Sequence, residues 1–351
     1  MSIITRRATD ADMHGINKLY ESITSCKRTV EEYIWQWHSS PAGKGMQWVM
    51  VDKNTNEIVG HHGLMPFYFV HKGEEFIVAK TENTMVYPEY RSKMIYPMVE
   101  FRLLNEYKKN YDFIFSTKGP KPAIRTRKGL GYDATHEWLR KDIVLSHKFY
   151  MNRIFNIDLI NKNRIHKSKS VEIIHLKDNI ADLSVFTNNV WKKFEKESPF
   201  TPRRAWEDIK WRFFDNPYFS GCFITYSHEN TQGYAVLKEV ENGVFQIEDL
   251  IIYPFSNDYF VKFFNKLFSF IKTTNDIHMI VLQTTSDTDF YSDIYRNVKT
   301  PFLNIPLFFF NKFIKNQETR KRYMPRKLGK HNSTNPDLHN WYVTPFIFEG
   351  R

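Results

Sequence analysis

The sequence predicts a mixed α/β (α+β) protein with two domains, in each of which helices flank a mixed, largely antiparallel sheet. Segments with alternating or short continuous apolar runs, typical of strands, are interleaved with segments whose apolar residues follow helical spacing. The length of 351 residues suits about two domains of ordinary size. Landmark residues of the first half recur in the same order in the second half, as in a duplicated domain.

In the first half, the patterns predict a strand, two helices, a series of antiparallel strands and then helices around a short buried strand. The first helix begins after residues 9–12, because Thr and Asp side chains cap the first turn of a helix. Strands are expected over residues 3–7, 46–52, 57–64, 68–71, 75–86 and 112–116. Helices are expected up to about residue 25 and over residues 30–37, 97–109 and 118–127.

Two pairs of segments carry the repeat most clearly. Residues 35–41 and 211–217 both have Trp, an aromatic residue two positions later and Pro six positions later. Residues 82–88 and 248–254 both have an acidic residue followed by an apolar run that ends in Tyr-Pro. Ordered matches of this kind indicate duplication with loop deletions. The predicted division is a first domain over residues 1–145, a linker over residues 146–170 and a second domain over residues 171–351.

The composition favours a cytoplasmic protein with an anionic partner. Only Cys26 and Cys222 are present, which excludes a disulfide framework and fits a reducing compartment. No apolar run is long enough to span a bilayer, and the first residues are typical of a strand rather than a signal peptide. The net charge of +11 favours anionic ligands, but no nucleic-acid-binding motif or metal-ligand spacing is present. Residues 320–330 are basic and are expected in a solvated loop, with peripheral contact to a nucleotide or an anionic membrane as the alternative.

An anion-binding pattern follows the strand that ends at Val86. A Pro turn leads into Arg91-Ser92-Lys93, and a helix begins shortly after these basic residues. The first backbone N–H groups of a helix lack intrahelical partners and lie at the positive end of its dipole, so such a junction binds anions. The alternative is an ordinary strand–turn–helix junction with solvated basic side chains.

This junction resembles the acyl-CoA pyrophosphate loop of the GNAT N-acetyltransferase superfamily, which reads Arg/Gln-x-x-Gly-x-Gly/Ala. Arg91 matches the first position, whereas Met94 and Tyr96 stand where the family has small residues. These larger side chains must turn away from the phosphates or narrow the site. The resemblance implies that acetyl-CoA or another acyl-CoA binds, as co-substrate, at Val86, Tyr87, Arg91, Ser92, Lys93, Met94, Ile95, Tyr96 and Arg127.

The whole chain resembles tandem-GNAT acyltransferases of bacterial surface-polysaccharide gene clusters, through its repeat and its Trp-Tyr-Val-Thr segment at residues 341–344. The resemblance implies transfer of an acyl group, expected to be acetyl, to the amine of a small molecule. The expected acceptor is an amino sugar, free or nucleotide-linked, used in cell-surface glycan biosynthesis. Residues 255–258 of the second half carry an acid where the first half has the basic loop, so this half is expected to hold the acceptor.

Two kinds of residue are candidates for the general base. Glu82 lies on the strand that leads to the loop, and a period of two places it on the same face as Lys80 and Thr84. A carboxylate in a partly apolar cleft can take a proton from the attacking amine. His61 or its neighbour His62 is the other candidate; adjacent residues on a strand face opposite ways, so at most one of the two faces the cleft. A solvated Glu and a hydrogen-bonded structural His are the alternatives.

In the second half, Glu248 and Asp249 occupy the equivalent strand, and Asp249 is the candidate for orienting the acceptor amine. The alternative is a structural role for Asp249 where neighbouring strands separate. Arg127 stands at the position of the Tyr that serves as general acid in the family. Because an Arg side chain does not give up its proton at neutral pH, the sequence assigns no general acid.

Two other functions remain open at this stage. One is an aminoacyl-tRNA-dependent transferase of the FemA/B type, which also has two GNAT folds but lacks a CoA loop. The other is a non-catalytic GNAT-like scaffold, which the large residues Met94 and Tyr96 would suit.

Overall fold

The computed structural model describes most of the chain in several segments. The described residues are 3–92, 95–117, 121–133, 138–145, 171–175, 180–271, 277–285, 324–328 and 341–347. Their strands form two sheets, and helices flank both.

The first part of the chain alternates strands and helices in the predicted order. Its strands are β1 (Ile3–Arg7), β2 (Met46–Asp52), β3 (Ile58–His71), β4 (Glu74–Val86), β5 (Phe113–Ser116) and β6 (Trp138–Val144). Its helices are α1 (Met13–Thr24), α2 (Val30–His38), the short α3 (Pro88–Arg91), α4 (Ile95–Asn110) and α5 (Lys121–Gly129).

The second part repeats this alternation. Its strands are β7 (Val171–His175), β8 (Thr201–Pro202), β9 (Gly221–His228), β10 (Thr231–Glu241), β11 (Val244–Tyr253), β12 (Met279–Thr285) and β13 (Met324–Lys327). Its helices are α6 (Ile180–Phe194), α7 (Trp206–Ile209) and α8 (Asn257–Ile271).

Local sequence explains where helix α2 begins, and the helix buries both of its Trp residues. The Thr29 hydroxyl accepts a hydrogen bond from the Glu32 backbone N–H, and the Glu32 carboxylate accepts one from the Thr29 N–H. This reciprocal cap satisfies two donors that the helix itself leaves unpaired. Trp35 and Trp37 are 4% and 0% exposed; because they are two residues apart they lie on different sides of the helix, which is therefore buried on more than one side.

Two of the differences from the predicted boundaries concern strand β3 and helix α4, which flank the site described below. The segments 57–64 and 68–71 are one strand, β3, because it pairs with β4 along almost its whole length. Helix α4 begins at Ile95 rather than at residue 97. Pro97 therefore lies inside its first turn, where the missing backbone N–H has no intrahelical partner to lose.

Both sheets have the same strand order and the same pattern of directions. The first runs β1-β2-β3-β4-β5-β13, with β8 added to β3, and the second runs β7-β9-β10-β11-β12-β6. The pairs β4–β5 and β11–β12 are parallel, and the other neighbours are antiparallel. This architecture confirms the predicted fold class of mixed, largely antiparallel sheets flanked by helices.

Each sheet ends in a strand that comes from the other half of the chain. β6 pairs with β12 in the second sheet, and β13 pairs with β5 in the first. The predicted boundary at residue 145 therefore does not divide the chain as the sheets do, because β6 lies before it. An apolar pattern identifies a strand but not the sheet edge that the strand joins.

The two halves share one hydrophobic core, and Trp35 and Trp211 lie where they meet. Trp35 Nε1 donates to the Trp211 carbonyl at 2.7 Å, and Trp211 Nε1 donates to the Trp35 carbonyl at 3.1 Å. Their rings stack with centroids 5.4 Å apart. The repeat in the sequence aligns these same two residues. Reciprocal contacts between aligned residues are what a two-fold relation between the halves produces.

Candidate active site

A gap opens in the first sheet at the carboxyl end of β4. The parallel strands β4 and β5 pair only where Val78–Lys80 meets Phe113–Phe115. β4 continues to Val86, so its last residues have no strand neighbour on this side among the described residues. This edge of β4 therefore faces the gap rather than another described strand.

β4 carries a bulge beside the gap. His62 of β3 lies opposite both Asn83 and Thr84, because the register between the two strands shifts there. Asn83 has a φ of 48°, in the left-handed region that Asn tolerates better than most residues. The extra residue reverses the direction of the side chains that follow it.

The bulge corrects one of the predictions for this strand. Lys80 and Glu82 do lie on one face, where their side chains form an ion pair. Thr84, however, lies on the opposite face, with its Oγ1 2.9 Å from Nδ1 of His62. The predicted common face for Glu82 and Thr84 is wrong, because a period of two holds only along an unbulged strand.

Glu82 lies on the side of the sheet that faces helix α2. Its side chain is 17% exposed, and that of its partner Lys80 is 4% exposed. Glu82 Oε1 also accepts a hydrogen bond of 3.3 Å from the Asn83 backbone N–H. The carboxylate is thus held beside the bulge while retaining some access to solvent, as a group that accepts protons requires.

His61 lies on this same side but is enclosed. It is 0% exposed and its ring packs against Trp37 of α2, with centroids 5.5 Å apart. Nδ1 lies 2.7 Å from the Asn83 carbonyl oxygen, and Nε2 lies 3.1 Å from Oε1 of Gln47. Burial lowers the pKa of His61 to about 4. Both ring nitrogens are occupied, which suits a histidine that supports the bulge from beneath.

The opposite side of the sheet faces helix α4 and contains His62 and Arg127. His62 is buried, and desolvation lowers its pKa well below the ordinary value. The Arg127 guanidinium is also buried, and Nη2 donates to Oγ1 of Thr81 at 3.3 Å. This contact places a permanent positive charge beside the gap, where it can stabilise a thiolate or a phosphate.

The predicted CoA loop connects β4 to α4. Arg91 is exposed, and its Nε donates to the Val86 carbonyl at 3.0 Å. The Tyr87 backbone N–H donates to the Val59 carbonyl at 3.0 Å, and the Tyr90 hydroxyl donates to the Asp52 carboxylate at 2.9 Å. These bonds fix the loop against β2 and β3 and bring Arg91 close to the start of α4.

The other predicted loop residues have different surroundings. Ser92 is exposed and Ile95 is buried. Lys93 and Met94 lie outside the described residues. Tyr96 is directed toward the sheet, with its ring 5.5 Å from that of His62. A tyrosine in place of a small residue could turn toward the phosphates or away from them, and this contact corresponds to the second orientation.

In the second sheet, Asp249 is part of a buried ion pair. Asp249 and Arg204 are both 0% exposed, and Arg204 Nη2 lies 3.0 Å from Asp249 Oδ1. Arg204 Nε lies 3.1 Å from both carboxylate oxygens, and the hydroxyls of Thr344 and Tyr234 donate to them at 2.7 and 3.1 Å. Because its carboxylate is saturated by the protein itself, this geometry favours the structural alternative for Asp249 over the predicted role in orienting the acceptor.

Glu248, the residue aligned with Glu82, is also buried, at 2% exposed. Gln246 Nε2 donates to Glu248 Oε1 at 2.8 Å. The contact between Gln246 and Glu248 repeats, at aligned positions, the ion pair of Lys80 and Glu82. The two strands thus share this local contact, and among the described residues the first strand leads into a basic loop while the second does not.

The gap between β11 and β12 in the second sheet is occupied by a segment of the chain, Trp341–Ile347. Thr285 of β12 donates from its backbone N–H to the Val343 carbonyl at 3.2 Å. On the other side, the Tyr342 hydroxyl donates to the Leu250 carbonyl of β11 at 2.5 Å. The segment therefore bridges the two strands at the place where the first sheet is open.

Sequence reasoning missed two features of the site. The partnership of Lys80 with Glu82 had a signal, since opposite charges two residues apart on a strand lie on one face. Glu100 of α4, which is 0% exposed, had no comparable signal. A Glu in an amphipathic helix is ordinarily placed on the solvent side.

Two further observations bear on possible ligands. In the part of the chain that the structure describes, no three His, Cys, Asp or Glu side chains are grouped so as to hold a metal ion. None of the described helices is long and apolar enough to cross a membrane.

Comparisons with known proteins bear directly on this site. Residues 5–132 match the family model of the acetyltransferase (GNAT) domain. This range contains β4, the bulge, the loop and Arg127. A search of curated proteins finds no match.

Solved structures with the same fold cover most of the chain. One is an Enterococcus faecalis V583 protein described as a probable N-acyltransferase (13% identity, 93% of this chain and 73% of that chain, TM-score 0.60). Another is a GCN5-related N-acetyltransferase from Anabaena variabilis (12% identity, 93% and 73%, TM-score 0.58). A third is Saccharomyces cerevisiae N-myristoyltransferase with bound myristoyl-CoA (10% identity, 93% and 79%, TM-score 0.50). At these identities the likeness shows the fold.

The predicted GNAT resemblance is thus confirmed for the first half of the chain, which holds the open gap and the basic loop. Residues 5–132 match an acetyltransferase (GNAT) domain, and the chain is an enzyme of the acyltransferase class.

Proposed function

We propose that this protein transfers an acyl group from acyl-CoA to the amine of a small-molecule acceptor, with the thioester bound between β4 and β5. The observation that carries the proposal is the bulged end of β4, which extends beyond its pairing with β5 and leads through a basic loop into the start of α4. The gap exposes backbone groups to the pantetheine chain, and the helix start offers N–H groups to the pyrophosphate.

The proposed position of CoA uses the loop as the sequence predicted. Arg91 and the first N–H groups of α4 contact the pyrophosphate, and Ser92 is exposed beside them. Val86 and Tyr87 form the wall where the strand ends. Lys93 and Met94 stay in the proposed set from the sequence alone. Since Tyr96 is directed toward His62, it lines the inner side of the site.

The proposed reaction is direct transfer. The neutral amine attacks the thioester carbon, and the carbonyl oxygen takes the negative charge of the tetrahedral intermediate, where backbone N–H donors at the bulge can stabilise it. The C–S bond then breaks and CoA leaves as a thiolate, while the amine becomes an amide. Glu82 accepts the proton that the amine loses, directly or through one water molecule.

The position of Arg127 suits the leaving group. Its guanidinium is held at Thr81, on the edge of the gap. A permanent cation there stabilises the CoA thiolate electrostatically, without donating a proton. No general acid is then required before the thiolate takes a proton from solvent.

The identity of donor and acceptor is the finer part of the proposal. Acetyl-CoA is the reference donor, and an amino sugar, free or nucleotide-linked, is the proposed acceptor for cell-surface glycan biosynthesis. The acceptor rests on the resemblance to polysaccharide-cluster enzymes. The proposed location is the cytoplasm, and the unpaired thiols Cys26 and Cys222 agree with a reducing compartment.

Calorimetry of CoA and acetyl-CoA binding tests the proposal. Arg91→Ala is expected to weaken binding by about 1–2 kcal/mol, the scale of one charge-assisted contact. Lys53→Ala is the matched control, because Lys53 is an exposed cation in the turn between β2 and β3. Equal CoA affinities of the two variants would show that the pyrophosphate does not bind at this loop. Binding of tRNA without binding of CoA would instead favour an aminoacyl-tRNA-dependent transferase.

A further inference from the structure

Helix α4 has an unusual buried face, because that face is polar. Tyr96, Glu100 and Tyr107 are four and seven residues apart, which places them along one side of the helix. Glu100 and Tyr107 are both 0% exposed. This side packs over His62 of β3, whose ring centroid is 5.5 Å from that of Tyr96 and 6.1 Å from that of Tyr107.

These four side chains each leave one buried polar atom without a hydrogen-bond partner among the described residues. The atoms are His62 Nε2, Tyr96 OH, Glu100 Oε2 and Tyr107 OH. Buried polar atoms in folded proteins are nearly always paired with protein, water or ligand. Four such atoms around one helix face therefore indicate a place for a polar group that is not part of the protein.

Two of the side chains are held firmly at their other polar atom. His62 Nδ1 lies 2.9 Å from Thr84 Oγ1, and Glu100 Oε1 accepts a hydrogen bond of 2.5 Å from the Tyr132 hydroxyl. Their unpaired atoms are thus fixed in position before any ligand arrives. Such preorganisation is typical of binding sites, because little conformational freedom is lost on binding.

We call these four side chains, His62, Tyr96, Glu100 and Tyr107, the polar cluster. The cluster begins at the bulge, where the thioester is proposed to lie. Thr84 belongs to the bulge, and His62 is the residue opposite it on β3. From there the unpaired atoms lead under α4 toward Tyr107. A substituent a few bonds beyond the thioester carbonyl would reach them.

We propose that this cluster recognises a neutral hydrogen-bonding substituent, such as a hydroxyl or an amide, on the acyl group of acyl-CoA. This inference rests on the proposed function and names its acyl donor more closely. A hydroxyl can donate to Glu100 and accept from a tyrosine hydroxyl, so it fits the available atoms. A carboxylate would lose its hydration among these buried atoms, and a plain alkyl chain would leave all four atoms unpaired.

The test compares thioesters that differ only in the substituent. Calorimetry measures the Kd of CoA, butyryl-CoA and 3-hydroxybutyryl-CoA for the unmodified protein, Tyr107→Phe and Tyr111→Phe. The unmodified protein is expected to prefer 3-hydroxybutyryl-CoA over butyryl-CoA by about tenfold, the effect of one or two hydrogen bonds. Tyr107→Phe should remove most of this preference and leave CoA affinity unchanged. Tyr111→Phe, at a buried Tyr beside the end of α4, should keep the preference.

Folding should not obscure the result. Tyr107→Phe removes a hydroxyl that has no partner in the described structure, and thermal unfolding verifies that the variant is folded. If that variant is unstable, the ratio of the two thioester Kd values in Tyr96→Phe tests the same cluster, because any effect on CoA binding itself cancels in that ratio. Equal Kd values for the two thioesters, or ordered water alone at the four atoms in a thioester complex, would overturn the inference while leaving acyl-CoA binding intact. Failure of CoA and both thioesters to bind would overturn the proposed function as well.

Discussion

Glu82 and Lys80 are the charged residues closest to the bulge on the α2 side of the first sheet. Glu82→Gln keeps the size of the side chain but removes its ability to accept a proton. Turnover is expected to fall by roughly 10²–10⁴-fold, the usual effect of losing a general base. The Kd of acyl-CoA should change little, because the carboxylate lies beside Lys80 and the bulge and not in the loop. Steady-state kinetics and calorimetry measure the two quantities separately.

A matched variant checks that this loss is specific. Glu57 is exposed and pairs with Lys18 on the surface, so Glu57→Gln makes the same chemical change away from the bulge. Its turnover should equal that of the unmodified protein. Near-normal turnover of Glu82→Gln would mean that another residue on the α2 side is the general base, and His61 would be tested next.

Asp249, unlike Glu82, is expected to stabilise the fold rather than to take part in the reaction. Asp249→Asn leaves Arg204 as a buried cation without its counter-charge, which typically costs about 3–5 kcal/mol of unfolding free energy. Asp215→Asn removes an exposed carboxylate paired with Lys210 and should cost at most about 1 kcal/mol. Denaturant unfolding of both variants measures the difference. A normal stability for Asp249→Asn, with a raised KM for the acceptor, would restore the catalytic interpretation.

At the scale of elements, strand β3 makes stability depend on pH. Unfolded His61 takes up a proton near its ordinary pKa of 6.5, but in the folded protein burial lowers the pKa to about 4. Between these values the unfolded state binds more protons, so the unfolding free energy falls as pH falls, by up to about 1.4 kcal/mol per unit for this residue. His62 acts in the same direction, because its pKa is also lowered by burial.

Unfolding by denaturant at pH 7.0 and at a pH between 4 and 6.5 measures this dependence. His61→Gln should show a smaller loss of stability on acidification than the unmodified protein, since one of the two titrating groups is gone. An unchanged slope would mean that His61 is protonated, or reached by solvent, in the folded state.

Strand β4 shows what its sequence could and could not predict. The strand itself, its end at Val86 and the common face of Lys80 and Glu82 all follow from an alternating pattern and a Pro turn. The bulge does not, because Asn83 looks like any other polar residue in the strand until its φ is known. Because of this one extra residue, the Thr84 side chain lies on the opposite face of the strand, where it contacts His62. The polar face of α4 was equally hidden, since periodicity alone cannot reveal that a Glu is buried.

For the whole molecule, the sequence repeat predicted two similar sheets, but it did not predict which strands belong to each sheet. The alignment of Trp35 with Trp211 was read from a spacing of aromatic residues and Pro, and the structure places the two in reciprocal contact. The sequence did not predict that β6 joins the second sheet and β13 the first, because strand pairing over such sequence distances leaves no local pattern. Each sheet therefore needs the other half of the chain for its last strand.

The two gaps make a prediction about stoichiometry. Although the sheets share one strand order, the gap between β4 and β5 adjoins a basic loop, whereas the described residues 254–256 that follow β11 carry no basic side chain. The gap between β11 and β12 is bridged by residues 341–347, which hydrogen-bond to both strands. A pantetheine chain would have to displace that segment, including the Thr344 hydroxyl that donates to buried Asp249. We therefore expect calorimetry to give one acyl-CoA per chain. Arg91→Ala should weaken that single event and reveal no second one, whereas two sites per chain would show that residues 341–347 leave the second gap readily.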